Sequence, residues 1–231
     1  MILRKLASAI RRQDWFTVLL EVVIVVLGVF IGIQVSNWND AREASERRDL
    51  IVAALITDLR DAAAAQEGFT REIDQGLAGW KSAFAAGERP APYVMRIDGS
   101  DTAPKTWETL QQMPLTDMLD PVTIFDLGFY YSELDGVGVK YIRYVSFVES
   151  DVLPYLERNP DAFYEPGGSA LLPEYAANMD RLDEYARESD RLRRWAECLV
   201  YRLEAERDFE QSCRRAGYRL PGMTPAQDQR Q

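Results

Sequence analysis

The residues from Trp15 to Trp38 constrain this chain more than any other feature of its sequence. The segment is almost wholly apolar, and Glu21 is the only charged side chain between the two tryptophans. An α-helix over this segment would extend roughly 34 Å, close to the hydrocarbon thickness of a bilayer. Paired tryptophans are typical of the two membrane interfaces. The segment therefore predicts one transmembrane helix over residues 15–38, with Trp15 and Trp38 as interfacial anchors.

Two alternatives compete with a membrane anchor. A cleaved signal peptide would have a shorter apolar region and a small-residue exit, which residues 32–38 do not offer. A buried core helix of a soluble protein is usually shorter. We therefore favour the anchor over both.

The first 14 residues are basic and amphipathic. Leu3, Leu6 and Ile10 share one helical face, and the basic residues Arg4, Lys5, Arg11 and Arg12 lie elsewhere. This pattern is typical of a helix on an anionic leaflet, although an ordinary positive flank explains it equally well. The positive-inside rule then predicts a cytoplasmic N-terminus and an extracytoplasmic remainder. The bias is modest, because Arg42, Arg47 and Arg48 follow the apolar segment.

One stripe of the predicted membrane helix carries unusual residues. Its members recur at steps of four and three: Glu21, Val25, Gly28, Gly32, Val35 and Asn39. Gly28 and Gly32 form a small-xxx-small pair, which lets two helix backbones approach closely. We predict self-association or docking to another membrane protein through this stripe, and a stripe without a specific role is the alternative. Glu21 fits snorkelling or an interhelical hydrogen bond best, with ion coupling and a recognition contact as alternatives.

Composition excludes several functions for the remaining chain. Residues 38–231 carry 23 Lys and Arg against 35 Asp and Glu, and this negative charge argues against nucleic-acid binding. The chain has no histidine, the commonest general base and metal ligand. Gly136-Val137-Gly138 lacks the rest of a dinucleotide motif, and no phosphate loop occurs. We therefore expect no catalytic residues, no metal site and no cofactor, and a protein that is not an enzyme.

The two cysteines, Cys198 and Cys213, match no metal-binding spacing. On one continuous helix they would lie about 22 Å apart, beyond the reach of a disulfide. Two packed or idle thiols are therefore the interpretation that we favour. Pairing between subunits, or across an unrecognised break in the helix, is the alternative.

The pattern beyond the membrane segment is helical. Residues 39–66 contain no glycine or proline. A stripe of mostly apolar residues then follows helical spacing: Leu55, Leu59, Ala62, Gln66, Phe69, Ile73, Gly76 or Leu77, Trp80 and Phe84. We expect this seam to pack lengthwise on other helices, with bends at Gly68, Gly76 or Gly79.

The middle of the chain is less regular. Residues 87–121 contain five prolines. Within this region we predict a short extended piece at 93–97 and a short helix at 105–112. Asp120-Pro121 predicts a helix start, and Asp135-Gly136 predicts its end. Residues 139–157 have strand-like composition but helical spacing, so both assignments remain open.

The longest uninterrupted pattern runs from Pro173 to Ala216 and predicts a helix of roughly 65 Å, antiparallel to the helix leaving the membrane. Its apolar positions follow the coiled-coil period: Tyr175, Met179, Leu182, Ala186, Ser189, Leu192, Ala196, Leu199, Leu203, Glu206, Phe209 and Cys213. The fold class that we predict is all-α, with a transmembrane helix continuing into an elongated bundle with coiled-coil-like helices. The predicted domains are a basic segment at 1–14, the membrane helix at 15–38, a helical domain at 39–220 and a disordered tail at 221–231.

The membrane segment resembles the opening of a family of uncharacterised bacterial single-pass membrane proteins, whose span ends in Gln-x-x-Asn-Trp-Asn. The matching positions are Glu21, Gly28, Gln34, Asn37, Trp38 and Asn39. Residues 106–134, with the paired Tyr130 and Tyr131, resemble that family's middle region. The resemblance covers roughly a third of the chain. It implies a bacterial inner-membrane anchor with a helical domain and supplies no catalytic residues.

We therefore expect a non-enzymatic, membrane-anchored interaction or scaffold protein with a periplasmic domain, whose partners are the lipid bilayer and a second copy or another membrane protein. A small-molecule sensor that signals through a partner is one alternative. An ion-coupled accessory subunit that uses Glu21 is the other.

Overall fold

The structure, a computed structural model, describes residues 15–95, 106–156, 160–205 and 213. It divides into two compact units, Met1–Ala53 and Ala54–Gln231. The predicted basic segment at 1–14 and tail at 221–231 lie outside the described residues. Within the described ranges every regular element is helical, and the only β-pairing is an isolated bridge between Tyr164 and Leu171. The predicted all-α fold class is confirmed.

Helix α1 extends from Trp15 to Ala85 and contributes to both units. Its glycines do not interrupt it, so the bends predicted at Gly68, Gly76 and Gly79 do not end the helix. In the first unit, the segment after the apolar residues is held by ion pairs one turn apart, Arg42 with Glu46 and Arg47 with Glu43. Such pairs stabilise an exposed helix by a few tenths of a kcal/mol each.

The described residues of the second unit form the last part of α1 and four further α-helices. These are α2 (Thr106–Leu110), α3 (Pro121–Phe147), α4 (Leu153–Leu156) and α5 (Pro173–Ala205). Short 3₁₀ turns occupy Leu115–Asp117 and Pro160–Phe163. Helix α2 confirms the short helix predicted near residues 105–112. The extended piece predicted at 93–97 is non-helical but forms no strand over residues 93–95, and residues 96 and 97 lie outside the described ranges.

Helix α5 runs antiparallel to the last part of α1, as predicted. Arg60 pairs with Glu204 near one end of the contact. Near the other end, the Thr70 hydroxyl donates to the backbone carbonyl of Ala186 over 3.2 Å. The later residue of α1, Thr70, contacts the earlier residue of α5, Ala186. The two helices therefore have opposite directions.

Helix α3 is also antiparallel to α5. Lys140 pairs with Glu188, and Arg202 pairs with Asp126 towards the start of α3. The three helices therefore form a bundle in which α1 and α3 share a direction and α5 runs against both.

The seams predicted from spacing form the core of this bundle. On α1, Leu55, Leu59, Gln66, Ile73 and Leu77 are buried. On α5, the predicted seam is buried from Tyr175 to Leu199, with Leu192, Ala196 and Leu199 fully inaccessible. Each fully buried leucine contributes about 1.5–3 kcal/mol to folding. The seam that the sequence predicted is therefore the one that holds the second unit together.

Helix α3 begins as the sequence predicted and ends later. Asp120 caps it, because its carboxylate accepts a hydrogen bond from the Thr123 backbone N–H over 3.0 Å. The predicted stop at Asp135-Gly136 is wrong, since the helix continues to Phe147. Glycine costs only about 1 kcal/mol in a helix interior, and burial of Val137 and Tyr144 beyond it outweighs that cost.

Residues 139–156 form helix rather than strand, which settles the ambiguity over residues 139–157 for the described part. A π-helical turn at Val148–Val152 separates α3 from α4, and the N–H of Leu153 bonds to the carbonyl of Val148. Pro154 follows directly. Proline has no N–H and its ring clashes with the carbonyl four residues earlier, so the wider turn lets the chain pass Pro154 without leaving the helical path.

The uninterrupted helix predicted from Pro173 to Ala216 is also wrong. Helix α5 ends at Ala205. Cys198 and Cys213 form a disulfide with their Cα atoms 4.4 Å apart. A continuous helix would hold these atoms about 22 Å apart, so it cannot extend from one cysteine to the other. The interpretation as idle thiols is therefore corrected, and pairing across a break in the helix is what the structure contains.

Candidate functional site

The apolar segment of α1 is the first candidate site, and no other described residues bury it. The helix Leu19–Ala85 is long and apolar enough to cross a membrane, with a mean hydropathy of 2.5 in its most apolar window and none of that window buried. The exposed fractions of its large apolar side chains range from 43% at Val23 to 67% at Trp38. A core helix of a soluble protein would bury this surface. An apolar environment outside the chain would cover this exposed surface.

The stripe predicted on this helix lies within the described residues. Glu21, Val25, Gly28, Gly32, Val35 and Asn39 all belong to α1, and all are exposed. Steps of three and four place them along one face of the helix. A Cβ added at Gly28 or Gly32 would meet no atom within 4 Å, so this chain leaves the groove above both glycines open. The role of the stripe stays a prediction.

The two predicted anchors are described to different extents. Trp38 is exposed over 67% of its surface. Trp15 is the first residue of α1, and its side chain lies outside the described part. The helix is continuous between the two tryptophans.

A cleft between α3 and α5 in the second unit is the second candidate site. It has a volume of about 360 Å³, within the range of small-molecule sites. Three bases, three tyrosines, two acids and a leucine line it: Lys140, Tyr141, Arg143, Tyr144, Arg181, Leu182, Glu184, Tyr185 and Glu188. Since α3 and α5 are antiparallel, residues distant in sequence meet here.

The aromatic wall of the cleft is rigid and uncharged. The ring of Tyr141 lies 5.7 Å from that of Tyr185 and 6.0 Å from that of Tyr144. The Tyr144 hydroxyl accepts a hydrogen bond from the Met95 backbone N–H over 2.9 Å. Burial raises the pKa of Tyr185 to about 12, and burial also raises the pKa of Tyr144. Both side chains therefore remain neutral phenols at physiological pH.

The charged groups of the cleft offer contacts of both signs. Lys140 Nζ lies 2.5 Å from Glu188 Oε1. The second carboxylate oxygen of Glu188 is buried without a hydrogen-bond partner among the described residues. Arg143 and Arg181 are exposed at the cleft. The cleft can therefore accept an anionic group at its arginines and a hydrogen-bond donor at Glu188.

A third cluster joins α1, α2 and α3 through Asp58. Its carboxylate accepts hydrogen bonds from Tyr131 over 2.6 Å and from Thr106 over 3.0 Å. Trp107 stacks on Tyr131 with ring centroids 5.7 Å apart. These contacts are those of a structural joint, because Asp58 is satisfied by side chains of its own chain.

Trp107 also explains a glycine in α3. A Cβ at Gly128 would lie 3.1 Å from the indole, so the ring packs directly on the helix backbone. This close approach joins α2 to α3 and aligns Trp107 with Tyr131.

Among the described residues, no group of three or more Cys, Asp or Glu side chains could hold a metal ion. The side chains that line the cleft are phenols, carboxylates, cations and one leucine.

Sequence reasoning missed the cleft and the Asp58 joint. Both depend on which faces of α1, α3 and α5 meet, and this pairing has no signal in one sequence. The disulfide was only the alternative interpretation, although Gly217, four residues after Cys213, is a typical signal of a nearby helix end.

No protein-family model, curated protein or solved structure matches this chain. The resemblance to a family of uncharacterised membrane proteins therefore stays a hypothesis.

Proposed function

We propose that this chain is a single-pass membrane protein whose α1 helix anchors a non-enzymatic, extracytoplasmic helical domain and associates with a second copy through its glycine stripe. The uncovered apolar surface of α1 carries this proposal. A bilayer would cover that surface, while the open groove at Gly28 and Gly32 would admit a second helix. The described residues offer no competing catalytic arrangement.

The Cys198–Cys213 disulfide supports the location of the domain. Disulfides persist in the bacterial periplasm and are rare in the cytosol, where thiols are kept reduced. The four basic residues ahead of the apolar segment favour a cytoplasmic N-terminus. Both observations point to the same orientation, in the bacterial inner membrane that the family resemblance implies.

Cysteine crosslinking in native membranes tests the stripe. We expect Val35→Cys to form a disulfide-linked dimer, because position 35 lies on the stripe. Adding Gly28→Leu should reduce the crosslinked fraction, since a leucine fills the groove. Val26→Leu is the matched control, because Val26 lies on the opposite face of α1 and its substitution should leave crosslinking unchanged. Equal crosslinking in all three proteins would contradict self-association through the glycines.

The cleft between α3 and α5 favours a second candidate function, an extracytoplasmic sensor of a small molecule. A ligand with a carboxylate and an amino group fits the charges, with the carboxylate at Arg143 and Arg181 and the amino group at Glu188. The tyrosines would contact an apolar or planar part. This sensor would signal through a partner in the membrane.

A thermal-shift screen of the full-length protein with the twenty L-amino acids tests the sensor. We expect at least one to raise Tm, and Arg143→Gln with Arg181→Gln to abolish that shift. Arg71→Gln is the control, because Arg71 pairs with Glu67 on an exposed face of α1. The sensor is contradicted if no amino acid raises Tm, or if the shift survives loss of both cleft arginines.

A further inference from the structure

The charges of the cleft between α3 and α5 leave one cation unbalanced. Its lining carries three cations, Lys140, Arg143 and Arg181, against two acids, Glu184 and Glu188. Opposite charges within one cleft attract the ligand whose charge balances them. A ligand that balances this cleft therefore carries one net negative charge, whereas an amino acid with a neutral side chain carries none at neutral pH.

Arg143 and Arg181 are the cations that lack an acid partner. Neither forms an ion pair with a described residue. Every other described arginine of the second unit forms one: Arg60, Arg71, Arg89, Arg187, Arg191, Arg193, Arg194 and Arg202. Guanidinium groups bind carboxylates through two parallel hydrogen bonds. The cleft therefore presents two arginines that can each hold a carboxylate.

The Lys140–Glu188 ion pair fixes the positions of the two arginines along the cleft. Arg143 lies three residues further along α3, a rise of about 4.5 Å. Since α5 is antiparallel to α3, the same direction leads backwards along α5. Arg181 lies seven residues from Glu188 in that direction, a rise of about 10.5 Å. The two arginines are therefore separated by about 6 Å along the helix axes.

We propose that the cleft binds an α-amino acid that carries a second carboxylate in its side chain, with glutamate as the best fit. The proposal rests on the proposed sensor function and names its ligand. The ammonium group donates to the Glu188 oxygen that has no partner among the described residues. The α-carboxylate pairs with Arg143, and the side-chain carboxylate pairs with Arg181.

The length of the ligand favours glutamate over aspartate. The two carboxyl carbons of extended glutamate lie about 5 Å apart, and those of aspartate lie about 4 Å apart. The longer distance is closer to the separation of about 6 Å between the arginines along the helix axes. The net charge of either ligand is minus one at neutral pH, which balances the cleft.

The tyrosines of the cleft suit the short aliphatic stem of such a ligand. The ring of Tyr141 lies within 6.0 Å of the rings of Tyr144 and Tyr185, so the three rings form a continuous wall on which methylene groups can pack. Burial raises the pKa of Tyr144 and of Tyr185. The wall therefore places no phenolate beside the carboxylates of the ligand.

Calorimetric titration of the full-length protein in detergent micelles tests the ligand class. We expect L-glutamate to bind at least about tenfold more tightly than L-glutamine, because the amide lacks the charge that pairs with Arg181. Glutarate should also bind at least about tenfold more weakly, since it has no ammonium group for Glu188. A neutral amino acid that binds as tightly as L-glutamate would overturn this proposal and leave the sensor standing. Absence of binding by every amino acid would overturn both.

Substitutions distinguish the roles of the two arginines. Arg181→Gln should weaken L-glutamate binding by about tenfold and change L-glutamine binding by less than about twofold. Arg143→Gln should weaken both ligands, because both carry an α-carboxylate. Arg181→Lys keeps the charge and should keep the preference for L-glutamate. Equal weakening of both ligands by Arg181→Gln would overturn the assignment of the side-chain carboxylate to Arg181.

Arg187→Gln is the matched control for the loss of charge. Arg187 lies on the same helix as Arg181 and pairs with Asp183, and neither residue lines the cleft. The substitution removes the same charge from α5, so it should leave the affinity for both ligands unchanged. A loss of L-glutamate affinity equal to that of Arg181→Gln would indicate a general effect of charge and overturn the cleft as the binding site.

Discussion

At some positions of the second unit a neighbouring side chain packs so close to the backbone that only glycine fits. The ring of Tyr93 lies directly over Gly76 of α1, and its hydroxyl donates to the backbone carbonyl of Glu72 over 3.1 Å. A Cβ added at Gly76 would lie 2.0 Å from Tyr93 Cζ. The absence of a side chain at position 76 therefore lets the loop after α1 fold back on the helix.

Gly76→Ala should destabilise the protein by about 1–3 kcal/mol, because the Tyr93 ring must move and its hydrogen bond is strained. Gly79→Ala is the control on the same helix. A Cβ there meets no atom within 4 Å, so Ala should stabilise α1 by about 0.5–1 kcal/mol. Urea unfolding followed by circular dichroism measures both changes. The same sign for both would contradict the role of Gly76.

Asp58 is the second residue whose contacts decide stability. Its substitution by alanine leaves the buried Tyr131 hydroxyl without the acceptor that lies 2.6 Å away. We expect Asp58→Ala to cost about 1–3 kcal/mol, the penalty of an unsatisfied buried donor. Asp61→Ala, at an exposed position one turn later, should change stability by less than about 0.5 kcal/mol. Equal losses in chemical denaturation would show that Asp58 does not hold the joint.

At the scale of elements, α3 is the helix whose extent differs most from expectation. It contains Gly136 and Gly138, yet continues to Phe147. If the helix is continuous there, Gly138→Ala should stabilise the protein by about 0.5–1 kcal/mol, since a Cβ at that position meets no atom within 4 Å. A chain that turned at Gly136 would gain nothing from this substitution. Thermal unfolding by calorimetry distinguishes the two outcomes.

The helices themselves were predictable because periodicity reports which face is buried. The α1 and α5 seams, the Asp120 cap and the antiparallel order of α1 and α5 all follow from spacing and turn chemistry. The ends of helices were less predictable. At Gly136 tertiary burial outweighs a local stop signal, and the coiled-coil period continues between Cys198 and Cys213, although the disulfide excludes one continuous helix between them. Local patterns do not include the contacts that decide such cases.

The candidate sites also differ in whether a local pattern in the sequence predicts them. The membrane stripe lies on a single helix, so its residues could be named from the sequence. The cleft needs Arg143 of α3 beside Arg181 of α5, and the Asp58 joint needs three helices at once. A single sequence shows none of these pairings.

For the whole molecule, the disulfide makes the stability of the fold depend on an oxidising compartment. It closes a loop of 15 residues between Cys198 and Cys213. Closure of such a loop stabilises a fold by about 3 kcal/mol. We expect reduction, or Cys198→Ser with Cys213→Ser, to lower the free energy of unfolding by about 2–4 kcal/mol. The double variant should be insensitive to reductant, and an unchanged stability in the reduced wild-type protein would contradict this role.

The central claim is that α1 anchors the chain in a membrane with the helical domain outside the cytoplasm. Labelling of Ala177→Cys with a membrane-impermeant maleimide in spheroplasts tests it most directly, because Ala177 is exposed on α5. We expect Ala177→Cys to be labelled before lysis. We also expect the labelled protein to stay in the membrane pellet after an alkaline wash. Labelling only after lysis, or release of the protein by the wash, would contradict it.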